Sequence, residues 1–330
     1  MFPFRFPLIR TWAHAAVAFG CLLLGQAHAF DLQGHRGARG LLPENTLAAF
    51  ERALEIGVST IELDIAITAD SVPVISHNPA LNPAITRDAA GMWLKGKGPL
   101  IKSLTLAQLQ AYDVGRIDPT SEYHTSLPTQ QPRDGQRIPT LASLFAMVKG
   151  KGTDADAVRF DIETKIFPHQ PHDTVGVDEF VNVLLATIRE AGMAQRVMVQ
   201  SFDWRSLQLI QKLEPAIETV YLTMEFNSAN TVRDSAWTAG LRLADHASVA
   251  HMVKASGGTT WSPNFNHIDA AKVRAAQQLG LKVIPWTVND PADMDRLIGW
   301  GVDGIISDYP DRLRHAMQRA ALPLPPRLKN

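Results

Sequence analysis

Two carboxylates and a histidine lie close together in one short stretch of the sequence, residues 61–77. Glu62 and Asp64 alternate with aliphatic residues, so in an extended strand both carboxylates share one face and the aliphatic side chains share the other. A tight turn at 70–71 then leads into a second predicted strand, and a turn centred there places Asp64 opposite His77. Carboxylate oxygens gathered in this way suit a hard cation such as Mg²⁺ or Ca²⁺. The alternative is a half-exposed strand whose polar face lies in water.

A histidine, an arginine and three glycines occupy the end of the first predicted strand and the turn after it, in residues 31–40. The glycines permit close backbone approach, and the strand presents His35 and Arg36 at its C-terminal end. A histidine moves protons near neutral pH and an arginine binds a phosphate through paired hydrogen bonds, so the two suit a phosphoester. Glu44 precedes a predicted helix that begins near Thr46, where it either orients a catalytic group from behind or complements the helix dipole.

The pattern of an apolar back and a charged front returns at 158–165, where Asp161, Glu163 and Lys165 alternate with apolar residues. Further strands are predicted at 196–201, 218–223, 259–262, 281–288 and 303–306, with helices at 178–191, 203–213, 245–256, 269–280 and 291–300. Such alternation predicts a parallel sheet, and its length and roughly eightfold repetition favour a closed (β/α)8 TIM barrel over a doubly wound sheet. Nine strands are predicted, so the hairpin is expected to supply one antiparallel member.

Between residues 78 and 137 the periodicity fades, and glycine and proline become too frequent for a strand–helix–strand unit. We interpret 78–137 as an insertion after the second barrel strand and its hairpin, lying over the site. A short helix at 104–112 is the element predicted within it. Trp93 and Tyr112 either wall a substrate pocket or pack the insertion onto the barrel.

In a (β/α)8 barrel, polar residues at the C-terminal ends of the strands form the active site. The predicted strand ends carry eight candidates, which are His35, Glu62, Asp64, Glu163, Lys165, Gln200, Trp286 and Asp308. Because unrelated segments direct these groups to one mouth, the convergence favours a functional role for the carboxylates over a solvated strand.

The N-terminal residues differ in character from the rest of the chain. Two arginines precede an apolar run at 15–24, and residues 27–29, Ala-His-Ala, have the small-x-small form of a secretory cleavage site. We therefore predict a signal peptide at 1–29, a barrel domain at 30–330, and export to the periplasm or the medium. The apolar run is too short to span a bilayer and no other stretch is long enough, so no stable membrane span is expected.

Composition excludes several classes of protein. With 330 residues, 45% hydrophobic and 20% charged, the chain can bury a full core. The formal net charge is −1 and no basic stripe is evident, so nucleic acid is not an expected partner. Cys21 is the only cysteine and lies in the predicted signal peptide, which leaves the mature protein without disulfides, zinc-thiolate sites or thiol nucleophiles. Nothing in the sequence indicates an oligomeric state.

Seven blocks of residues resemble, in order and rough spacing, those of the glycerophosphodiester phosphodiesterases. The blocks are His35-Arg36-Gly37, Pro43-Glu44-Asn45-Thr46, Glu62-Leu63-Asp64, His77, Ile162-Glu163-Thr164-Lys165, Trp286-Thr287-Val288-Asn289 and Asp303-Gly304-Ile305-Ile306-Ser307-Asp308-Tyr309-Pro310. The resemblance implies a (β/α)8 barrel that hydrolyses glycerophosphodiesters, such as glycerophosphocholine, to glycerol 3-phosphate and an alcohol. It also implies one divalent cation, Ca²⁺ or Mg²⁺, and a small-molecule substrate.

The resemblance further implies a role for each matched position. Metal ligation falls on Glu62, Asp64 and Glu163, proton transfer on His35 and His77, phosphate binding on Arg36 and Lys165, and a substrate wall on Trp286. The family usually has Asp after the second histidine, where this chain has Asn78. Asn supplies no negative charge, so weaker activity or a changed substrate choice is expected if that position tunes His77 or helps to hold the metal.

Two other functions remain open at this point. A phospholipase C-like or D-like enzyme shares the barrel and the histidines but acts on lipids, and it should carry an exposed apolar rim. The insertion offers only scattered apolar residues for such a rim. The second alternative is a secreted binding protein of the same fold with weakened catalysis, which only Asn78 suggests. The attacking group is either water or the 2-hydroxyl of the glycerol.

Overall fold

Eight parallel strands form a barrel in the computed structural model, which describes residues 1–3 and 29–328 of the chain. In chain order the strands are β1 (Asp31–Gly34), β2 (Thr60–Ile67), β3 (Pro73–Ile75), β4 (Arg159–Thr164), β5 (Val197–Ser201), β6 (Glu218–Thr223), β7 (Glu225–Phe226), β8 (Ala229–Asn230), β9 (Thr260–Pro263), β10 (Lys282–Val283) and β11 (Gly304–Ser307). The barrel strands follow the order β10, β9, β6, β5, β4, β2, β1, β11. β3 pairs with β2 outside this order, and β7 and β8 form a separate hairpin.

Backbone hydrogen bonds between the two ends of this strand order close the barrel. Asp303 N donates to the carbonyl of Val283 at 2.9 Å, and Ile306 N donates to the carbonyl of Pro285 at 3.0 Å. The regular part of β10 is shorter than the strand predicted at 281–288, because Pro285 has no N–H to donate to a ladder. The (β/α)8 barrel predicted from the sequence is confirmed.

Ten α-helices lie in the described residues, eight of them around the barrel and two, the second and third in chain order, in the insertion. They are α1 (Leu47–Ile56), α2 (Leu106–Leu109), α3 (Glu122–Ser126), α4 (Leu141–Lys149), α5 (Val177–Glu190), α6 (Trp204–Leu213), α7 (Val249–Ala255), α8 (Ala270–Gln278), α9 (Pro291–Gly299) and α10 (Pro310–Arg319). The main apolar core lies between these helices and the strands, and β2 contributes Ile61, Leu63 and Ile65 to it. Glu62 and Asp64 alternate with these residues, so they lie on the inner face of the barrel.

Helix α1 fixes the turn that carries the first candidate residues. The side chain of Thr46 caps α1 by accepting a hydrogen bond from Ala49 N, and Gly57 ends the helix with a left-handed φ of 89°. A Cβ atom on Gly37 would lie 2.7 Å from the carbonyl carbon of Ala49. Only glycine therefore lets the turn after β1 pack against the start of α1.

The predicted pairing of Asp64 with His77 is wrong by one residue, because Ser76 N donates to the carbonyl of Asp64 at 2.9 Å. β3 does pair antiparallel with β2, as predicted. The loop between them has three residues rather than the predicted two, with Ser71 in the left-handed region at φ 58°. This additional residue shifts the whole register by one position. His77 therefore lies beyond the end of β3 and reaches the site from the bend that follows.

The insertion at 78–137 lies between β3 and α4, as predicted, and packs on β2 and β3 through a small apolar core separate from the main one. That core is built from Ala66, Val74, Leu81, Ile101, Leu109, Val114 and Ile138. Helix α2 occupies only the centre of the helix predicted at 104–112. The guanidinium of Arg87 lies 5.6 Å from the ring of Trp93, and Tyr112 packs against the small core. Both aromatic residues thus pack the insertion.

Among the described residues, no helix combines the length and the apolar character needed to cross a membrane. Most of the predicted signal peptide, residues 4–28, lies outside the described part of the chain, so that signal stays a prediction.

Candidate active site

The turn after β1 presents His35 and Arg36 at the mouth of the barrel. Arg36 adopts a left-handed φ of 48°, and its backbone N–H donates to Glu62 Oε2 at 2.8 Å. The backbone N–H of His35 donates to the carbonyl of Ser307 at 2.9 Å. The turn is therefore tied to both neighbouring strands, β2 and β11, and these bonds position both side chains.

Asp308, which directly follows β11, holds the ring of His35. His35 Nδ1 lies 2.5 Å from Asp308 Oδ1, and Asn289 Nδ2 donates to Asp308 Oδ2 at 2.8 Å. Burial opposes ionisation of Asp308, but His35 and Arg39 hold its pKa below the usual range. An ionised carboxylate only accepts hydrogen bonds, so His35 Nδ1 carries the proton. The lone pair of Nε2 is then free, 3.9 Å from Glu62 Oε2.

Glu62, Asp64 and Glu163 form a buried acidic triad. One carboxylate oxygen from each residue lies within 4.8 Å of the others. Glu163 on β4 is the direct ladder partner of Asp64 on β2. Strand pairing and side-chain alternation together place all three carboxylates on the inner face of the barrel.

The negative charges of the three triad carboxylates repel one another. Burial raises the pKa of Glu62 well above its usual value, and the charge of Asp64 raises it further. Burial likewise raises the pKa of Glu163 to about 7, although Lys165 acts in the other direction. Burial disfavours the ionised form of Asp64 too, but nearby groups led by His77 hold its pKa below the usual range. Such a buried group of acids is costly unless a cation joins it.

The donor set of the triad fits a hard divalent cation. Asp64 Oδ1 is buried and has no hydrogen-bond partner among the described residues, and Lys165 Nζ lies 3.6 Å from it. Buried carboxylate oxygens without a hydrogen bond are uncommon in folded proteins, because leaving one unpaired costs free energy. Mg²⁺ and Ca²⁺ prefer carboxylate oxygens, whereas structural zinc prefers nitrogen and sulfur. The triad can therefore hold Mg²⁺ or Ca²⁺.

His77 lines the same cavity as His35 but has a different partner. Its Nδ1 lies 2.6 Å from Asn78 Oδ1, and an amide oxygen accepts hydrogen bonds, so the proton of the neutral ring lies on Nδ1. Burial lowers the pKa of His77 well below its usual value, and Arg36 and Lys165 lower it further. One histidine is thus held by a carboxylate and the other by an uncharged amide.

Glu44 joins two arginines to the insertion. Its Oε1 accepts a hydrogen bond from Arg36 Nη1 at 2.8 Å, and its Oε2 accepts one from Arg39 Nε at 2.9 Å. The hydroxyl of Tyr123, on α3, donates to Glu44 and accepts from Arg39 Nη2 at 2.7 Å. Although burial acts against ionisation, the two guanidinium groups lower the pKa of Glu44 to about 2. A carboxylate therefore orients both arginines and anchors the insertion over the site.

Two positively charged side chains, Arg36 and Lys165, lie beside the triad and line the cavity. Lys165 Nζ donates to Glu163 Oε1 at 2.7 Å, and Arg36 Nε lies 3.3 Å from Asp64 Oδ2. They can bind the non-bridging oxygens of a phosphodiester that enters the cavity.

The site residues predicted from the sequence meet at a cavity of about 140 Å³. Its lining includes His35, Arg36, Glu62, His77, Glu163, Lys165 and Trp286. The other two predicted residues, Asp64 and Glu44, lie behind the lining, in contact with Arg36. Trp286 Nε1 donates to the carbonyl of Ser262 at 2.9 Å, which fixes the orientation of its ring.

Sequence reasoning assigned no role to several residues that support the site. Gln200 Nε2 donates to Glu62 Oε1 at 2.7 Å, and Asn45 Nδ2 donates to Asp64 Oδ2 at 2.9 Å. Gln200 and Asp308 lie at predicted strand ends, which is the signal that made them candidates. Asn45 belongs to a block that matched the family. Tyr123 has no such local signal, since it lies in an irregular segment 84 residues from its partner Arg39.

Comparisons with known proteins identify the family and the fold of this chain. A sequence model of the Glycerophosphoryl diester phosphodiesterase family matches residues 35–312. The chain is 28% identical over 285 residues to a glycerophosphodiester phosphodiesterase of Caldanaerobacter subterraneus subsp. tengcongensis, covering 86% of this chain and 96% of that relative. A solved Silicibacter pomeroyi DSS-3 protein, described as belonging to the glycerophosphoryl diester phosphodiesterases, is 36% identical with a TM-score of 0.81, covering 90% of this chain and 96% of its own. An Oleispira antarctica phosphodiesterase, solved with the product sn-glycerol-3-phosphate, shares the fold at 22% identity and a TM-score of 0.63, covering 88% of this chain and 97% of its own.

Proposed function

This chain belongs to the glycerophosphoryl diester phosphodiesterase family and is a phosphoric diester hydrolase, and we propose that it cleaves glycerophosphodiesters such as glycerophosphocholine to glycerol 3-phosphate and an alcohol. The observation that carries this proposal is the meeting of an acidic triad, two histidines and two basic side chains at one cavity. Few other reactions require this combination, because a phosphodiester needs its charge neutralised and protons moved at both ends of the displacement.

Glu62, Asp64 and Glu163 would hold one divalent cation in this proposal. When bound, Mg²⁺ or Ca²⁺ would neutralise charge on the non-bridging oxygens of the phosphate. The unpartnered Asp64 Oδ1 and the raised pKa of both glutamates support a cation here. Gln200 and Asn45, which each donate a hydrogen bond to one triad carboxylate, would orient these carboxylates.

Arg36 and Lys165 would bind the phosphate from the side of the triad. Each side chain is already held by a carboxylate, Arg36 by Glu44 and Lys165 by Glu163. A basic group fixed in this way does not have to reorganise as negative charge develops on the phosphoryl oxygens. Glu44 would therefore act on the reaction only through the arginines that it orients.

The two histidines would divide the proton transfers between them. His35 Nε2 accepts the proton of the attacking hydroxyl while the new P–O bond forms. Asp308 stabilises the resulting imidazolium through its contact with Nδ1. Attack by water gives glycerol 3-phosphate directly, whereas attack by the glycerol 2-hydroxyl gives a cyclic phosphate that water then opens.

His77 Nε2, when protonated, would give its proton to the oxygen of the departing alcohol as the other P–O bond breaks. Because the pKa of His77 lies well below its usual value, this protonated form is a small fraction at neutral pH but a strong acid. Asn78 stabilises that imidazolium less than a carboxylate does, which makes protonated His77 the stronger acid.

The test is an assay of glycerol 3-phosphate release from glycerophosphocholine and glycerophosphoethanolamine, with and without EDTA, followed by add-back of Ca²⁺ and Mg²⁺. We expect release that EDTA abolishes and at least one of the two cations restores. No product from either diester in the presence of both cations would contradict the proposed activity. Faster hydrolysis of lysophosphatidylcholine than of both diesters would favour a lipid-directed enzyme instead.

A further inference from the structure

Four aromatic side chains form a continuous surface that begins in the catalytic cavity. Phe202 and Trp286 line the cavity, with ring centroids 5.3 Å apart. Trp237 lies 6.5 Å from Phe202 and 6.0 Å from Phe167, and each of these ring pairs is nearly perpendicular. All four side chains are only half-buried, so the main core does not enclose them. We name Phe167, Phe202, Trp237 and Trp286 the aromatic wall.

The end of the aromatic wall that lies away from the cavity carries an acid. The ring of His169 lies 6.3 Å from that of Trp237, and His169 Nε2 lies 2.5 Å from Asp234 Oδ2. The hydrogen bond with His169 lowers the pKa of Asp234 below its usual value, so Asp234 is ionised at neutral pH. Asp234 bonds the His169 ring that packs on Trp237, so its carboxylate places a negative charge near the outer end of the aromatic wall, which favours a positively charged ligand there.

The inner end of the aromatic wall adjoins the residues that would bind phosphate. Lys165 Nζ lies 5.9 Å from the ring centroid of Phe167. The positive charge of Lys165 is balanced by Glu163 at 2.7 Å and Asp64 at 3.6 Å, so it belongs to the phosphate end of the site. A phosphodiester bound there has two ester arms, and one of them can extend along the aromatic wall.

We infer that the aromatic wall is a subsite for the alcohol half of the substrate and selects alcohols that carry an ammonium group, such as choline and ethanolamine. The inference rests on the proposed function, because it requires a phosphodiester bound beside Lys165. In these alcohols two carbons separate the ester oxygen from the nitrogen, which brings the cation to the rings next to the phosphate. The electron-rich faces of Trp and Phe attract such cations, and a quaternary ammonium gives up little hydration in approaching them.

Two diesters of nearly equal shape separate the effect of charge from that of size. Glycerophosphocholine is compared with its 3,3-dimethylbutanol analogue, in which a carbon atom replaces the nitrogen. We expect kcat/KM of the metal-loaded wild-type enzyme to be about tenfold higher for the choline diester, the size expected of a partly desolvated cation on aromatic rings. Trp237→Leu should remove most of this preference by raising KM for the choline diester, with a smaller change for the analogue.

Trp300→Leu is the matched control. Trp300 is also a half-buried tryptophan near a charged side chain, since Arg296 lies 4.6 Å from its ring. It follows α9 and precedes β11, so it lies at the end of the barrel opposite the cavity. This variant should keep the wild-type preference for the choline diester.

Equal kcat/KM for the two diesters in the wild type, or an equal loss on both in Trp237→Leu, overturns the inference and leaves the proposed function standing. If Trp237→Leu does not fold, Asp234→Asn takes its place and should reduce the preference about threefold, and an unchanged preference would count against the subsite. If neither diester is hydrolysed, that result contradicts the proposed function instead. Calorimetric titration with phosphocholine and 3,3-dimethylbutyl phosphate then decides: tighter phosphocholine binding that the variant weakens supports the subsite, and equal or absent binding overturns it.

Discussion

His35 Nδ1 lies 2.5 Å from Asp308 Oδ1, and this contact joins side chains that directly follow the neighbouring strands β1 and β11. The two residues are 273 positions apart in the chain, so they meet only when the first and the last barrel strands of the chain pair. The pairing of β1 with β11 therefore does more than extend the sheet, because it also sets the orientation of one of the two histidines in the cavity.

Asp308→Asn should lower kcat by about 10- to 100-fold with little change in KM, the usual effect of losing a group that orients another. The physical reason is that an amide can turn its N–H towards His35 Nδ1 and allow the wrong tautomer. Steady-state kinetics on glycerophosphocholine measure the effect. Asp311→Asn, in the first turn of α10, is the control and should retain wild-type kcat. A rise in KM at unchanged kcat would show that Asp308 has a different role.

Replacing His35 or His77 by Ala should each lower turnover by on the order of 10²–10⁴, with metal affinity nearly unchanged. A nitrophenyl diester has a leaving group that needs no proton, so it should restore turnover in His77→Ala and leave His35→Ala slow. Turnover of both variants on the nitrophenyl diester and on glycerophosphocholine provides the comparison. Equal rescue of both variants, or of neither, would remove the division of labour between the two histidines.

The triad could be predicted from the sequence because its determinants are local. Side-chain alternation within β2 places Glu62 and Asp64 on one face, and the same rule applies to Glu163 within β4. The rest follows from the parallel pairing of these two strands, which makes Glu163 the ladder partner of Asp64. A parallel barrel was in turn predicted from the repetition of strand and helix patterns.

The features that sequence reasoning missed depend on conformation or on distant contacts. The hairpin register depends on the left-handed backbone of Ser71, which no strand pattern encodes. Tyr123 enters the site only because the insertion folds back onto Arg39 and Glu44. Helix α10 was not predicted, although Pro310 at its first turn is a recognised start signal.

The wild type should lose more stability than Glu44→Gln does when the pH is lowered from neutral into the acid range. Burial raises the pKa of Glu44, but Arg36 and Arg39 outweigh burial and lower this pKa from 4.5 to about 2. A carboxylate whose pKa is lower in the folded state stabilises the protein at pH values above its unfolded-state pKa. This stabilisation, roughly 3 kcal/mol in total, is lost as the pH falls towards 2. The free energy of unfolding by urea, measured for both proteins from pH 7 to pH 3.5, tests this. The advantage of the wild type should be constant down to about pH 5.5 and then shrink, and an advantage that grows in acid would contradict it.

The mature protein should begin near Phe30. A positively charged start, an apolar run and the Ala-His-Ala sequence at 27–29 occur in the order of a secretory signal. Cleavage there leaves the barrel intact, because β1 begins at Asp31. N-terminal sequencing of exported protein measures the start, and Ala29→Arg should block processing as a control. Exported material that still begins at Met1 would contradict the prediction.

The central claim is that Glu62, Asp64 and Glu163 hold one divalent cation on which hydrolysis depends. The most direct measurement determines metal content and glycerophosphocholine hydrolysis together, before and after chelation, for the wild type, Glu163→Gln and Asp161→Asn. Asp161 is buried on the same strand two residues before Glu163, so its variant makes the same chemical change outside the triad. We predict that the wild type and Asp161→Asn bind one cation per chain and are active, whereas Glu163→Gln and chelated protein lose both the cation and the activity. Hydrolysis at the full rate by metal-free wild-type protein would contradict the claim.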